Sequence, residues 1–147
     1  LILSGAKKEA RSYIEGLTLL ASLRLCGNVP AQFAIQTALG GYQSINDLVL
    51  PTGRLYKQMQ LAYDKVTSLP GVTCVRPKGA LYLFPKLDLK RFSFANDEQF
   101  VLDLLVNERV LLVPGTGFNY FNDDHFRIVF LPTVEELDLA LSRVGRF

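Results

Sequence analysis

The chain has 147 residues, 49% of them hydrophobic, enough apolar material for one sizeable core, alone or with a piece of a second domain. Its net charge is +2, and its Lys and Arg residues are scattered among Asp and Glu without forming a basic stripe, which sets nucleic acid aside as a partner. Cys26 and Cys74 form no CxxC, and the most continuous apolar run, Leu17 to Leu25, is short and carries Arg24; a disulfide framework, a zinc site and a membrane span are therefore not expected, and a reducing, cytoplasmic setting fits best.

In chain order, Leu1 to Leu3 reads as the end of a strand, cut from its neighbours as in a fragment, and Ser4-Gly5 breaks it. A helical pattern runs from Ala6 to about Leu25, with Tyr13, Leu17, Leu20 and Ala21 three and four apart. Leu19 and Leu23 add a second apolar face, which predicts burial against a large surface. Gly27-Asn28-Val29-Pro30 interrupts and places a proline in the first turn of a second helix, which ends at Gly40-Gly41. Tyr42 to Leu50 reads as a short irregular connection.

Pro51-Thr52 opens the longest regular pattern, with Leu55, Met59, Ala62, Val66 and Leu69 spaced four, three, four and three. Pro70-Gly71 stops that helix. Strands are expected at Val72 to Val75 and Ala80 to Phe84 around a Pro77-Lys78-Gly79 turn, then a polar-interrupted loop from Lys86 to Phe94. Asn96 and Gln99 resemble a capping box before Phe100, Val101, Leu104 and Leu105. Two short apolar runs follow, Val110 to Val113 and Phe126 to Leu131. The last helix opens on the capping box of Thr133 and Glu136 and carries the stripe Val134, Leu137, Leu141 and Val144. Short strands between helices predict an α+β fold, a short mixed or antiparallel sheet covered by helices, or else an open α/β layer. The first fifty residues, helical and without a sheet of their own, look like part of something else.

Several residues could carry chemistry. The single His125 has no nucleophile beside it and reads as a surface histidine at a strand entrance. Asp123-Asp124 read as solvated turn residues, and Gly115-x-Gly117 is too short for a dinucleotide loop. Pro77-Lys78-Gly79-Ala80 is, as pure sequence, a turn. Arg127 is the better candidate. It stays charged at ordinary pH among Phe126, Ile128, Val129 and Phe130, and strand alternation puts it on one face with His125, Val129 and Leu131. Either an acid of the protein pairs with it, or it holds an incoming carboxylate in its planar fork.

Five stretches taken together carry a resemblance. They are Leu3-Ser4-Gly5 with Lys7-Lys8; Asn28-Val29-Pro30-Ala31-Gln32 with Ala38-Leu39-Gly40-Gly41; Pro77 to Pro85; Leu112 to Asn119; and Phe126-Arg127-Ile128-Val129. In this order they resemble the C-terminal part of class I/II, fold type I, pyridoxal-phosphate-dependent aminotransferases, above all bacterial alanine (glutamate–pyruvate) transaminases. The resemblance implies that residues 1–50 are a remnant of the large cofactor-binding domain and residues 51–147 a small substrate-closing domain. It assigns Arg127 to the substrate α-carboxylate and sets Gly79 and Ala80 near the substrate. It brings the loop holding Asn28 near the neighbouring subunit's active site in a homodimer. The side-chain-reading arginine of some relatives falls on Leu23, not on Arg24. The family's Schiff-base lysine, its phosphate-gripping arginine and the aspartate on the pyridine nitrogen match nothing here and lie upstream of Leu1; Lys7 and Lys8 do not fit the lysine's motif.

The expectation is therefore a cytoplasmic transaminase, in its full length, acting on an amino acid such as alanine and a 2-oxo acid such as 2-oxoglutarate. The 147 residues alone are expected to bind no pyridoxal phosphate and to be inactive. Two alternatives stand beside it: a pyridoxal-phosphate-dependent β-lyase or decarboxylating relative, and a stand-alone ACT-like module that binds an amino acid without reacting.

Overall fold

The computed structural model describes residues 8–147, so the expected strand at Leu1 to Leu3, its break at Ser4-Gly5, and the residues Ala6 and Lys7 lie outside the described residues. The chain forms two compact units, one ending at Gln43 and the other spanning Ser44–Phe147. In the first, α1 (Arg11–Arg24) and α2 (Val29–Gly40) follow the expected pattern. The Asn28 side chain caps α2 by accepting from the Ala31 amide at 3.1 Å, with Pro30 in the first turn where its missing N–H is not needed. No residue of either helix is buried, and Leu19, Leu23, Phe33 and Leu39 are exposed.

The second unit holds the core. Its helices are α3 (Ser44–Val49), α4 (Arg54–Thr67), α5 (Leu89–Phe92), α6 (Asp97–Glu108) and α7 (Val134–Arg146). Its strands are β1 (Val72–Thr73), β2 (Tyr82–Leu83), β3 (Lys86–Leu87), β4 (Val113–Pro114) and β5 (Phe126–Val129). Two of the expected irregular stretches are ordered. The Tyr42 to Leu50 connection contains α3, which packs on α4, and the Lys86 to Phe94 loop contains β3 and α5. Neither is long enough to display a period, so tertiary packing decides them.

Among the described residues, all strand pairings are antiparallel. β1 pairs with β3, and β5 lies between β2 and β4, with Tyr82 opposite Val129 and Val113 opposite Arg127. A single bridge between Lys86 and His125 links the two small sheets. The fold is α+β, and the antiparallel pairing excludes an open parallel α/β layer.

Burial along β5 alternates, with Phe126 and Ile128 turned into the core and Arg127 and Val129 on the opposite face. Phe126, Ile128 and Leu83 from the sheet meet Ala62 and Val66 of α4, Phe100 and Leu104 of α6, and Leu137 and Leu141 of α7. Burying each of the larger of these side chains stabilises the fold by roughly 2 kcal/mol. Gln58, nearly fully buried on α4, donates to the carbonyls of Leu131, at 3.0 Å, and Pro132, tying down the chain where it leaves β5. Among the described residues, no helix is long and apolar enough to cross a membrane.

Candidate functional site

The central strand dictates the site. Its core-facing residues anchor β5 from below, which leaves Arg127 half-buried on the other face. Tyr82 comes from β2, and Phe118 from the 3-10 turn Gly115–Phe118 that follows β4. The Arg127 Cζ lies 4.7 Å from the centroid of the Tyr82 ring and 4.1 Å from that of Phe118. Both rings offer the guanidinium a cation–π contact, which stabilises the charge without satisfying its hydrogen bonds. Arg127 forms no ion pair with an Asp or Glu among the described residues. Among the described residues, its buried Nε meets no hydrogen-bond partner. A buried donor left unpaired costs on the order of 1–3 kcal/mol, and a planar guanidinium can give two parallel hydrogen bonds to an acceptor such as a carboxylate.

The turn carrying Phe118 is held on both sides. The Gly115 amide donates to the His125 carbonyl at 2.8 Å. A Cβ on Gly115 would stand 3.0 Å from His125 Cβ, His125 O and Phe84 Cζ, so any larger residue would have to push these neighbours back by a few tenths of an ångström. Asp97, the first residue of α6, is 0% exposed. Its Oδ2 accepts from the Thr116 amide at 2.9 Å and its Oδ1 from the Thr116 hydroxyl at 3.0 Å. The turn ends at Asn119, in the left-handed region at φ 56°, a conformation asparagine tolerates well.

His125 is not the surface histidine expected from the sequence. Its ring stacks on Phe84, meets Tyr120 edge-on, and Nδ1 donates to Asp124 Oδ1 at 2.5 Å. Asp124 is likewise no solvated turn residue, because its other oxygen takes the Lys86 ammonium at 3.2 Å. Burial raises the pKa of Asp124, but the hydrogen bonds and charge of His125 and Lys86 outweigh it and hold the carboxyl below its ordinary range.

Of the other sequence candidates, Gly79 and Ala80 belong to the same unit as Arg127. Gly79 and Ala80 line a largely apolar hollow of about 450 Å³ with Ile45, Val49, Tyr56 and Phe130, and Arg127 is not part of its lining. Ala80 takes a left-handed backbone at φ 58°, where a Cβ is strained, while the adjacent Gly79 does not. Asn28 lies in the other unit, with its side-chain oxygen committed to capping α2. Tyr82 and Phe118 were visible in the sequence only as members of apolar motifs. Asp97 and Thr116 carried no signal, since an acid in the first turn of a helix is ordinary and their contact spans nineteen residues.

Known aminotransferases resemble this chain over nearly its whole length. Over all 147 residues the chain is 59% identical to glutamate-pyruvate aminotransferase AlaA of Haemophilus influenzae, covering 36% of that protein. The crystal structure of an aminotransferase from Escherichia coli superposes with a TM-score of 0.85 at 58% identity, over 99% of this chain and 36% of that one. The chain is aminotransferase-like. An alanine aminotransferase from Pyrococcus furiosus aligns with a TM-score of 0.77 and 38% identity, over 90% of this chain and 33% of that one. No family model matches. This aminotransferase-like chain thus spans about a third of the length of the curated relatives it matches, and the part matched is C-terminal. In aminotransferase terms, the cradled arginine lies on the strand following the Pro114-Gly115-Thr116-Gly117 loop.

Proposed function

We propose that this chain is the substrate-gripping part of a pyridoxal-phosphate-dependent transaminase that moves an amino group between alanine, or a similar amino acid, and a 2-oxo acid such as 2-oxoglutarate. The observation that carries this reading is the buried, unpartnered Nε of Arg127 beside two aromatic rings. The name of the Haemophilus relative, a glutamate-pyruvate aminotransferase, supports the substrate pair.

In this reading Arg127 takes the substrate α-carboxylate by parallel hydrogen bonds. It orients the amino acid so that the bond to be broken stands across the cofactor plane, a positioning effect rather than acid–base chemistry. When bound, pyridoxal phosphate supplies the electron sink. The cradle of Arg127 suits an acid group rather than that cofactor, since among the described residues its buried Nε meets no acceptor, and by the family resemblance no lysine of these 147 residues stands at the Schiff-base position. No chemical step is assigned to these residues, and the polypeptide by itself is inactive.

Residues 1–50 contribute to a large domain and residues 51–147 form a small domain that closes on substrate, so that capture by Arg127 is coupled to closure. Gly79 and Ala80 shape the substrate pocket, Asn28 approaches the neighbouring subunit's site in a homodimer, and the enzyme is cytoplasmic.

The test is Arg127→Lys in the complete enzyme. Lysine keeps the charge but loses the fork, so single-turnover amino transfer from alanine should fall about 100-fold while the visible absorbance of bound cofactor persists. Undiminished transfer at every alanine concentration would refute the reading. Pyruvate released with free ammonia, in place of a transferred amino group, would identify a β-lyase.

A further inference from the structure

Among the described residues, the buried polar or charged side chains are Gln58 and Asp97. Gln58 ties α4 to the end of β5, and its role is accounted for by the fold. Asp97 does something different. Its carboxyl group takes both the amide and the hydroxyl of Thr116, while its own amide donates to the Asp123 carbonyl at 2.7 Å. One residue therefore holds the segment between β4 and β5 near both of its ends.

That segment carries Phe118, and Phe118 is 44% exposed. A ring so open to solvent is not fixed by core packing. Its position against the Arg127 guanidinium depends on the backbone of the turn, and the side-chain anchor of that turn is the pair of hydrogen bonds from Thr116 to Asp97. The cost of sealing an acid in the interior is met by two donors from a single residue and by the N-terminal end of α6. Were Asp97 needed only to begin α6, Asn96 would suffice, because its side chain already caps the helix by accepting from the Gln99 amide at 2.9 Å.

We infer that Asp97, acting through Thr116 and Phe118, is a positioning residue that sets the Arg127 fork for carboxylate capture without itself touching substrate. The inference rests on the reading of Arg127 as the substrate-carboxylate grip.

Asp97→Asn and Thr116→Val separate this role from a general effect on stability. In Asp97→Asn an amide NH2 replaces one acceptor and opposes a donor of Thr116; in Thr116→Val the hydroxyl is lost with the side-chain shape kept. In the complete enzyme each should raise the KM for alanine about 10-fold and weaken competitive inhibition by propionate, a carboxylate without an amino group, by the same factor. The kcat should fall less than the KM rises. Thr116→Ser, which restores the hydroxyl, should restore both values. Adding Thr116→Val to Phe118→Leu should do little beyond Phe118→Leu alone, because the two act through one contact.

Unchanged KM and propionate inhibition in Thr116→Val would overturn the inference, whatever happens to the melting temperature, and so would full additivity with Phe118→Leu. Should Asp97→Asn fail to fold, Thr116→Val and its serine rescue decide the matter. Arg127→Lys distinguishes the two layers. If it cripples alanine use while Thr116→Val does not, only the positioning role falls; if it leaves alanine use intact, the carboxylate grip falls with it.

Discussion

Asp124 shows how much one side chain can organise. It receives His125 through one oxygen and Lys86 through the other, and so ties the entrance of β5 to β3. Its pKa is lowered in the folded protein, so the stability it contributes is present above the unfolded-state value and is lost as pH falls through the folded one. Asp124→Asn should therefore destabilise the fold by about 1 kcal/mol at neutral pH. The gap from the parent protein should close in the acid range, below the ordinary aspartate value of about 3.9. Denaturant melts of the two proteins at neutral and acid pH check this; a gap constant with pH would show that the pairing adds nothing. Arg127 is the complementary case. That it required a counter-group was legible from its apolar neighbours, but its two ring partners were not, because Tyr82 and Phe118 reach it from other elements.

Among the elements, α7 is the one most completely written in its own residues. The Thr133 hydroxyl accepts from the Glu136 amide at 3.2 Å, the Glu136 carboxylate accepts from the Thr133 amide at 3.0 Å, and Leu137, Leu141 and Val144 are buried as their spacing predicts. Thr133→Ala should cost about 1 kcal/mol, read as a lower denaturant midpoint with an unchanged slope. The start of α6 is subtler. Asn96 caps it as expected, yet the Gln99 side chain reaches past the cap residue and accepts from the Ala95 amide at 2.8 Å, so the reciprocal half of the box is displaced by one residue. The elements that were not foreseen, α3, β3 and α5, have at most six residues each. Their own propensity is weak, and contacts made after the chain folds back decide whether they form.

For the molecule as a whole, every buried residue of the core cluster belongs to the unit Ser44–Phe147, and none comes from α1 or α2. A polypeptide limited to 44–147 is therefore expected to unfold in one cooperative transition, with amides of α4, α6 and α7 the slowest to exchange. Gradual melting without a cooperative step would show that the core needs the preceding helices.

What the sequence by itself determined is local: helix limits set by caps and breakers, the apolar stripes that mark the core, the alternation of short strands with helices, and an arginine among apolar neighbours on a strand. Each follows from neighbours within a few positions, where backbone geometry and side-chain chemistry act directly. Only the tertiary structure decided that β5 lies between β2 and β4, that Tyr82 and Phe118 flank Arg127, and that Asp97 holds the turn of Thr116. Those contacts join residues far apart in the chain, and no local pattern encodes which distant partner the folded core will bring within hydrogen-bonding reach.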